Sequence, residues 1–417
     1  MNRPAGPGWG LTRRRFLTGA AAALGGPYVV TSAALGASGR PAASERIALG
    51  AIGVGNRGSY IFGRLAGRPD VEPVAVCDVQ PPRLEPFRRA GLAVYRDARE
   101  MLGRGDIDAV VIASPTHWKP LHTIAAARAG ADIYCEKPMS LTVRDGRAMV
   151  QAVRRYGRVF QHGTQQRSSR EFRLACQMAR SGRIGTLEAV EVYVGGPPRD
   201  CYLPAQQAPG GIDWDMWLGP APWRPFHSAI CLRGCGGWEG YSDYSGGGMT
   251  GWGSHHFDIA QWGLAADATG PTDVLPPGSG GNRGATFRYA GGVVVRHMAR
   301  MGEWAVVFRG TKGRIAVNRG KLQTWPAGLM RKPIGPGEVQ LYESPGHGED
   351  FVRCLRARRR PVCDVEIGHR TMTVCHLGNI AYRLRRRLKW DPAAERFVDD
   401  EEADRFLDRA RREPWRL

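Results

Sequence analysis

Between residue 46 and about residue 165, short apolar runs alternate with helical patterns, and the first run, Arg46–Ile52, opens directly into Gly53-Val54-Gly55-Asn56-Arg57-Gly58. No other feature constrains the chain as strongly. Strands are read at Arg46–Ile52, Pro73–Cys77, Ala109–Ala113 and Asp132–Cys135, with helices from the glycine turn through Ala66, over Arg83–Ala90, over Leu121–Ala129 and from Thr142 to about Tyr156. Such alternation requires right-handed βαβ crossovers on a parallel sheet. A GxGxxG that follows the first strand and opens the first helix predicts a doubly wound, Rossmann-type dinucleotide-binding domain. Gly53 allows the tight turn, Gly55 lets the backbone approach a pyrophosphate, and Gly58 lets helix pack on strand. The helix amides around Asn56 and Arg57 receive the phosphate charge. Asp78 ends the second strand, 20 residues after Gly58. A carboxylate there bonds a ribose 2′-hydroxyl and repels a 2′-phosphate, so NAD is expected in preference to NADP.

A chain of 417 residues exceeds what one hydrophobic core spans, roughly 250–300 residues, so a second domain is expected. The reading is α/β: a Rossmann domain over residues 45–165, then an α+β domain with a mostly antiparallel open sheet over 166–417. A chain 42% hydrophobic and 24% charged is neither disordered nor collagen-like. The formal charge of +20 invites a nucleic-acid reading, but the arginines are spread through every segment without interleaved aromatics, so no nucleic-acid partner is expected. Nine cysteines, an odd number without paired CxxC spacing, imply no metal site; Cys231 and Cys235 stand in a Gly-rich loop without a second pair.

Thr12-Arg13-Arg14-Arg15-Phe16-Leu17 precedes an uncharged, Ala- and Gly-rich stretch from Thr18 to Ala37. This resembles a twin-arginine export signal over residues 1–37. Its glycines and Pro27 leave it short of the roughly 18 apolar residues a membrane span needs. Export to the periplasm through the twin-arginine machinery is expected, with the signal cleaved.

The ordered set Gly53–Gly58, Asp78, Ser114-Pro115-Thr116-His117, Cys135-Glu136-Lys137-Pro138 and Gly253-Ser254-His255-His256-Phe257-Asp258 resembles the Gfo/Idh/MocA oxidoreductases. The resemblance implies that the Ser114, Thr116 and His117 loop lines the ribose and nicotinamide. It implies that Lys137 contacts the reacting hydroxyl with Glu136 orienting it, that His255 is the general base, and that homo-oligomers form. Lys137 is one of only six lysines in a chain with 53 arginines, which suits a site needing a compact ammonium. Asp258 either holds His255 or belongs to the helix core. His122 is equally a capping residue or a functional one. Many relatives carry an aspartate four residues before the histidine, where this chain has Gly251. Asp243, with Tyr244 or Tyr241, is the candidate substitute.

Gln165, Arg167 and one tryptophan of the long loop from Gly195 to Gly248 are expected to meet a carbohydrate, whose hydroxyls need planar amide and guanidinium partners and whose C–H face needs an aromatic platform. Further strands are read near Glu188–Val194, Thr286–Tyr289, Val293–His297, Ala305–Phe308 and Arg314–Val317, with closing helices near Gly348–Arg356 and Thr371–Arg387. The expected activity is NAD-dependent oxidation of a sugar, polyol or glycoside hydroxyl, with NAD held tightly and recycled, since no free pool exists outside the cytoplasm. NAD-assisted glycoside cleavage and a noncatalytic sugar- or nucleotide-binding module are the alternatives.

Overall fold

Ala109–Ile112 is wholly apolar and wholly buried, as a strand must be when helices cover both faces of its sheet. In the computed structural model it is β4 of a parallel six-stranded sheet formed with β1 (Ile47–Ile52), β2 (Val71–Cys77), β3 (Ala93–Tyr95), β5 (Asp132–Cys135) and β6 (Phe160–His162). The strand order is β3-β2-β1-β4-β5-β6, so the chain reverses direction across the sheet between β1 and β4. That switch point is where ligands enter open α/β sheets. The structure describes residue 36, residues 41–231 and residues 237–417. The export signal, Gly36 apart, and Cys235 lie outside the described residues. Compact packing divides the chain after Arg46, and residues 47–417 form one unit.

Local chemistry places the first helix. The Gly53 amide donates to the Cys77 carbonyl at 2.8 Å, and its φ of +84° is open to glycine without strain. A Cβ on Gly53 would lie 2.5 Å from the Ser114 amide nitrogen, and one on Gly58 would overlap the Gly53 carbonyl oxygen. The helix Val143–Arg155 begins with a reciprocal capping box between Thr142 and Asp145.

The second sheet has nine strands. These are β7 (Leu187–Val192), β8 (Asp273–Leu275), β9 (Thr286–Arg288), β10 (Val294–His297), β11 (Val306–Gly310), β12 (Gly313–Asn318), β13 (Lys321–Trp325), β14 (Leu388–Asp391) and β15 (Arg396–Phe397). They run in the order β13-β12-β11-β7-β10-β9-β8-β14-β15. All its pairings are antiparallel except β7 with β10. Four strands of this sheet, β8, β13, β14 and β15, with β3 of the first sheet and the helix Arg170–Arg180, are additional to the elements read from sequence.

The helix Gly253–Gly263 is buried along its whole length, against β7 and β11 and the helices Arg170–Arg180 and Val365–Leu384. Its position is held by Arg167, which is 1% exposed. Arg167 Nε donates to Asp258 Oδ2 at 2.8 Å and Nη2 to Asp267 Oδ1 at 2.6 Å, while Thr371 Oγ1 donates to Asp258 Oδ1 at 3.0 Å. A guanidinium so desolvated is tolerable only with its carboxylates in place. The expectation that Arg167 meets substrate is therefore corrected: its donors are spent inside the protein. Arg167→Ala should lower the unfolding free energy by about 3–5 kcal/mol by stranding Asp258, measurable by urea denaturation.

Candidate active site

A cavity of about 440 Å³ opens at the C-terminal ends of β1, β2, β4 and β5. Gly53, Gly55, Asn56, Arg57 and Gly58 form one wall, with Asp78, Ser114, Glu136 and Lys137. Asp78 Oδ2 accepts the Val54 amide and Oδ1 the Gln80 amide, both at 3.0 Å, with Arg83 Nη1 3.6 Å away. Burial raises its carboxyl above the ordinary value, against the opposing pull of Arg83 and the amides. Beside it, the buried Gln80 Nε2 has no protein partner although Gln80 lines the cavity, an orphan donor that a polar ligand would satisfy. The glycine cradle, the carboxylate and this donor together fit a dinucleotide.

Thr116 and His117 do not line this cavity, which corrects their expected role. Thr116 Oγ1 lies 3.4 Å from Ser245 Oγ. His117 Nε2 lies 3.0 Å from the Trp217 carbonyl, with its ring 5.3 Å from both Trp217 and Tyr244. Burial pushes this imidazole down to about 3, so it is a neutral packing residue. His122 does line the cavity. Its Nδ1 lies 2.9 Å from Ser114 Oγ, its ring stacks on Trp118, and burial pushes it down to about 4. Trp415 packs edge-on against Trp118 at 4.7 Å and brings Pro414–Leu417 into the cavity lining, which local sequence patterns do not foretell.

A second cavity, of about 930 Å³, meets the first at Arg57 and Lys137, which line both. It holds Gln165, Gln166, Trp252, His255 and Arg319. His255 is 4% exposed, and its buried Nδ1 has no partner. Burial above all, and then the Lys137 charge, holds this imidazole well below its ordinary value and so uncharged. His256 faces away, with Nδ1 2.8 Å from the Tyr193 carbonyl. Asp258 belongs to the Arg167 network and not to His255.

Glu136 does not orient the Lys137 ammonium. Its Oε1 accepts Arg57 Nε at 2.9 Å and Gln165 Nε2 at 3.0 Å, and its Oε2 accepts the Lys137 backbone amide at 3.2 Å. Gln165 lines the second cavity while also donating to Tyr134 Oη. Lys119, 2% exposed, donates from Nζ to the carbonyls of Lys137 and Pro138 at 3.1 and 3.0 Å, and burial pushes it down to about 8. The scarcity of lysine was a signal for Lys119 as much as for Lys137.

Neither Asp243 nor Tyr244 reaches either cavity, a further correction. Asp243 Oδ1 pairs with Arg409 Nη2 at 3.2 Å, and Tyr244 is fully buried against Trp217. Tyr241 Oη accepts from Arg199. The acid that comes to Lys137 is Glu239, with Oε1 3.9 Å from Nζ. Of the loop tryptophans, Trp217 and Trp238 line the first cavity and Trp223 is exposed; the tryptophan in the second is Trp252.

Residues 47–164 match an oxidoreductase family described as an NAD-binding Rossmann fold, and residues 199–417 match the same family's C-terminal alpha/beta domain. The chain belongs to the Gfo/Idh/MocA oxidoreductase family. Its N-terminal sheet is the NAD-binding Rossmann domain of that family. It is 28% identical over 175 residues to myo-inositol 2-dehydrogenase of Thermotoga maritima, covering 41% of this chain and 51% of that protein. It is 29% identical over 236 residues to a glycosyl hydrolase family 109 protein of Stenotrophomonas maltophilia, covering 52% of this chain and 51% of that one. The chain thus spans about half the length of the curated relatives it matches. Among solved structures, the WlbA dehydrogenase of Bordetella pertussis, in complex with NADH and UDP-GlcNAcA, has the same fold at a TM-score of 0.60, with 20% identity over 83% of this chain and 98% of that one.

Two outcomes follow from this Gfo/Idh/MocA site. Gly58→Ala should abolish measurable NAD binding by isothermal titration, because the added methyl overlaps the Gly53 carbonyl. His122, His256 and His347, each pushed by burial to about 4, stay neutral where the unfolded chain is protonated. Their contribution to stability is complete above pH about 6.5 and is lost as pH falls towards 4, so the melting temperature should drop through that window.

Proposed function

We propose that this protein is an NAD-dependent oxidoreductase acting on a hydroxyl of a sugar, polyol or glycoside. The observation that carries the reading is the meeting of two cavities at Lys137, with the neutral imidazole of His255 in the outer one. Bound at the Gly53–Gly58 turn and Asp78, the nicotinamide dinucleotide would supply the hydride acceptor. Lys137 would hold the substrate oxygen and take its proton, and the uncharged His255 imidazole, with no partner on Nδ1, would hydrogen-bond a substrate hydroxyl. Gln165, Gln166 and Trp252 line the cavity where hydroxyls and a C–H face would be met.

The reading extends to location and cofactor economy. The Thr12–Leu17 pattern supports twin-arginine export to the periplasm, and a protein working there must keep its NAD. Trp415 packed over Trp118 at the cavity supports tight retention. Each cycle would then be redox-neutral, passing hydride from one sugar to another or returning it to the same one. The family resemblance supports homo-oligomer formation.

A second reading, NAD-assisted cleavage of a glycosidic bond by oxidation, elimination and reduction, is favoured by Gly251 and by similarity to the family 109 glycosyl hydrolase. Protein purified without added cofactor should release NAD on acid extraction. Lys137→Ala and His255→Ala should each lower kcat by about 100-fold or more. Turnover of a sugar pair supports the first reading, and cleavage of a nitrophenyl glycoside without net NADH the second. Bound NAD with neither activity would leave a binding module.

A further inference from the structure

Lys137 Nζ has one carboxylate within ion-pair distance among the described residues, and it belongs neither to the Cys135–Pro138 motif nor to the His255 helix. The adjacent Glu136 is committed elsewhere, with Oε1 taken by Arg57 and Gln165 and Oε2 by a backbone amide. Four residues before His255, Gly251 ends the short helix Gly247–Gly251; a Cβ there would meet nothing within 4 Å, so that position supplies space and no acid. Asp243 is held by Arg409. Glu239 fills the role left open. It stands in the turn Trp238–Gly240, which is fixed at both ends: the Tyr241 amide donates to the Trp238 carbonyl at 3.1 Å, and the Arg199 amide donates to the Gly240 carbonyl at 3.0 Å. Trp238, Glu239 and Lys137 line one cavity. The side chains of Lys137 and Glu239 are 25% and 26% exposed, so a proton reaching the pair has a way out to water.

We propose that Glu239 is the positioning carboxylate that takes the substrate's hydroxyl proton by way of Lys137. The proposal rests on the oxidoreductase reading above. Lys137 Nζ passes one of its protons to Glu239 Oε1, and the amine lone pair so freed takes the hydroxyl proton as the O–H bond breaks. The ammonium is regenerated and the carboxylate becomes a carboxylic acid. The carbon's C–H bond breaks with its electron pair leaving to oxidised nicotinamide dinucleotide, and the C=O bond forms. The carboxylic acid then releases its proton to solvent. Carbon is oxidised, the dinucleotide is reduced, and one proton is released.

The test uses the full chain and compares Glu239→Gln and Glu239→Asp with the unsubstituted protein. Amine acetylation of Lys137 by an N-hydroxysuccinimide ester, followed at one pH by peptide mass spectrometry, reports how far the amine is held by its partner, without cofactor or substrate. Loss of the carboxylate in Glu239→Gln should free the amine and raise its labelling rate about threefold or more. Glu239→Asp should lie between. With NAD and a polyol or glycoside, Glu239→Gln should lose about tenfold or more in kcat with KM little changed, and Glu239→Asp should recover part of the rate. An unchanged Lys137 labelling rate, or full turnover by Glu239→Gln, overturns the relay and leaves the oxidoreductase reading intact. Failure of the unsubstituted protein to oxidise any hydroxyl substrate overturns that reading and the relay with it.

Discussion

A guanidinium taken almost wholly out of water governs how this molecule is put together. Arg167 follows β6, at the end of the Rossmann sheet, and its carboxylates, Asp258 and Asp267, stand in and just after the helix that carries His255. Because a buried charge without its counter-charge costs several kcal/mol, the helix can sit in few other places. The network thereby sets His255 beside the β5 terminus that carries Lys137. The long helix Val365–Leu384 packs on both the His255 helix and Val143–Arg155, closing the second side of the same arrangement.

Around that frame the site separates charges that have partners from groups kept neutral. Glu136 neutralises Arg57 and holds Gln165. The buried Lys119 ammonium braces the carbonyls of Lys137 and Pro138, and so fixes the main chain from which the Lys137 side chain projects. His255 is desolvated and uncharged. The consequence is a cavity in which the Lys137 side chain faces the Glu239 carboxylate at a distance long enough for a substrate or water to intervene.

The β1–β2–β4–β5 core could be read almost residue by residue, with Asp132–Cys135 matching in full and Ala109–Ile112 ending one residue early. Apolar runs and glycine turns are local signals, and the period of side-chain burial follows directly from backbone geometry. The helix Arg170–Arg180 also carries a local signal, since Phe172, Ala175, Cys176 and Ala179 form a buried stripe at helical spacing beside the polar Gln165–Arg167 motif. Short strands such as β8 and β14 were not legible, because three or four residues carry no periodicity and are strands only by virtue of the partners they pair with.

The Gly53–Gly58 turn, Asp78, Lys137 and His255, which line the two cavities, are each legible in the chain because each belongs to a motif whose spacing is local. Their partners are not. Arg167 and Gln165 stand two residues apart, yet one is walled in by aspartates and the other faces a cavity. Asp243 and Glu239 are four apart, yet one pairs with Arg409 and the other approaches Lys137. A carboxylate's role depends on which cation lies within a few ångströms and how much water has been removed from between them. Both quantities are set by contacts between segments a hundred residues distant in the chain, and only the tertiary structure decides them.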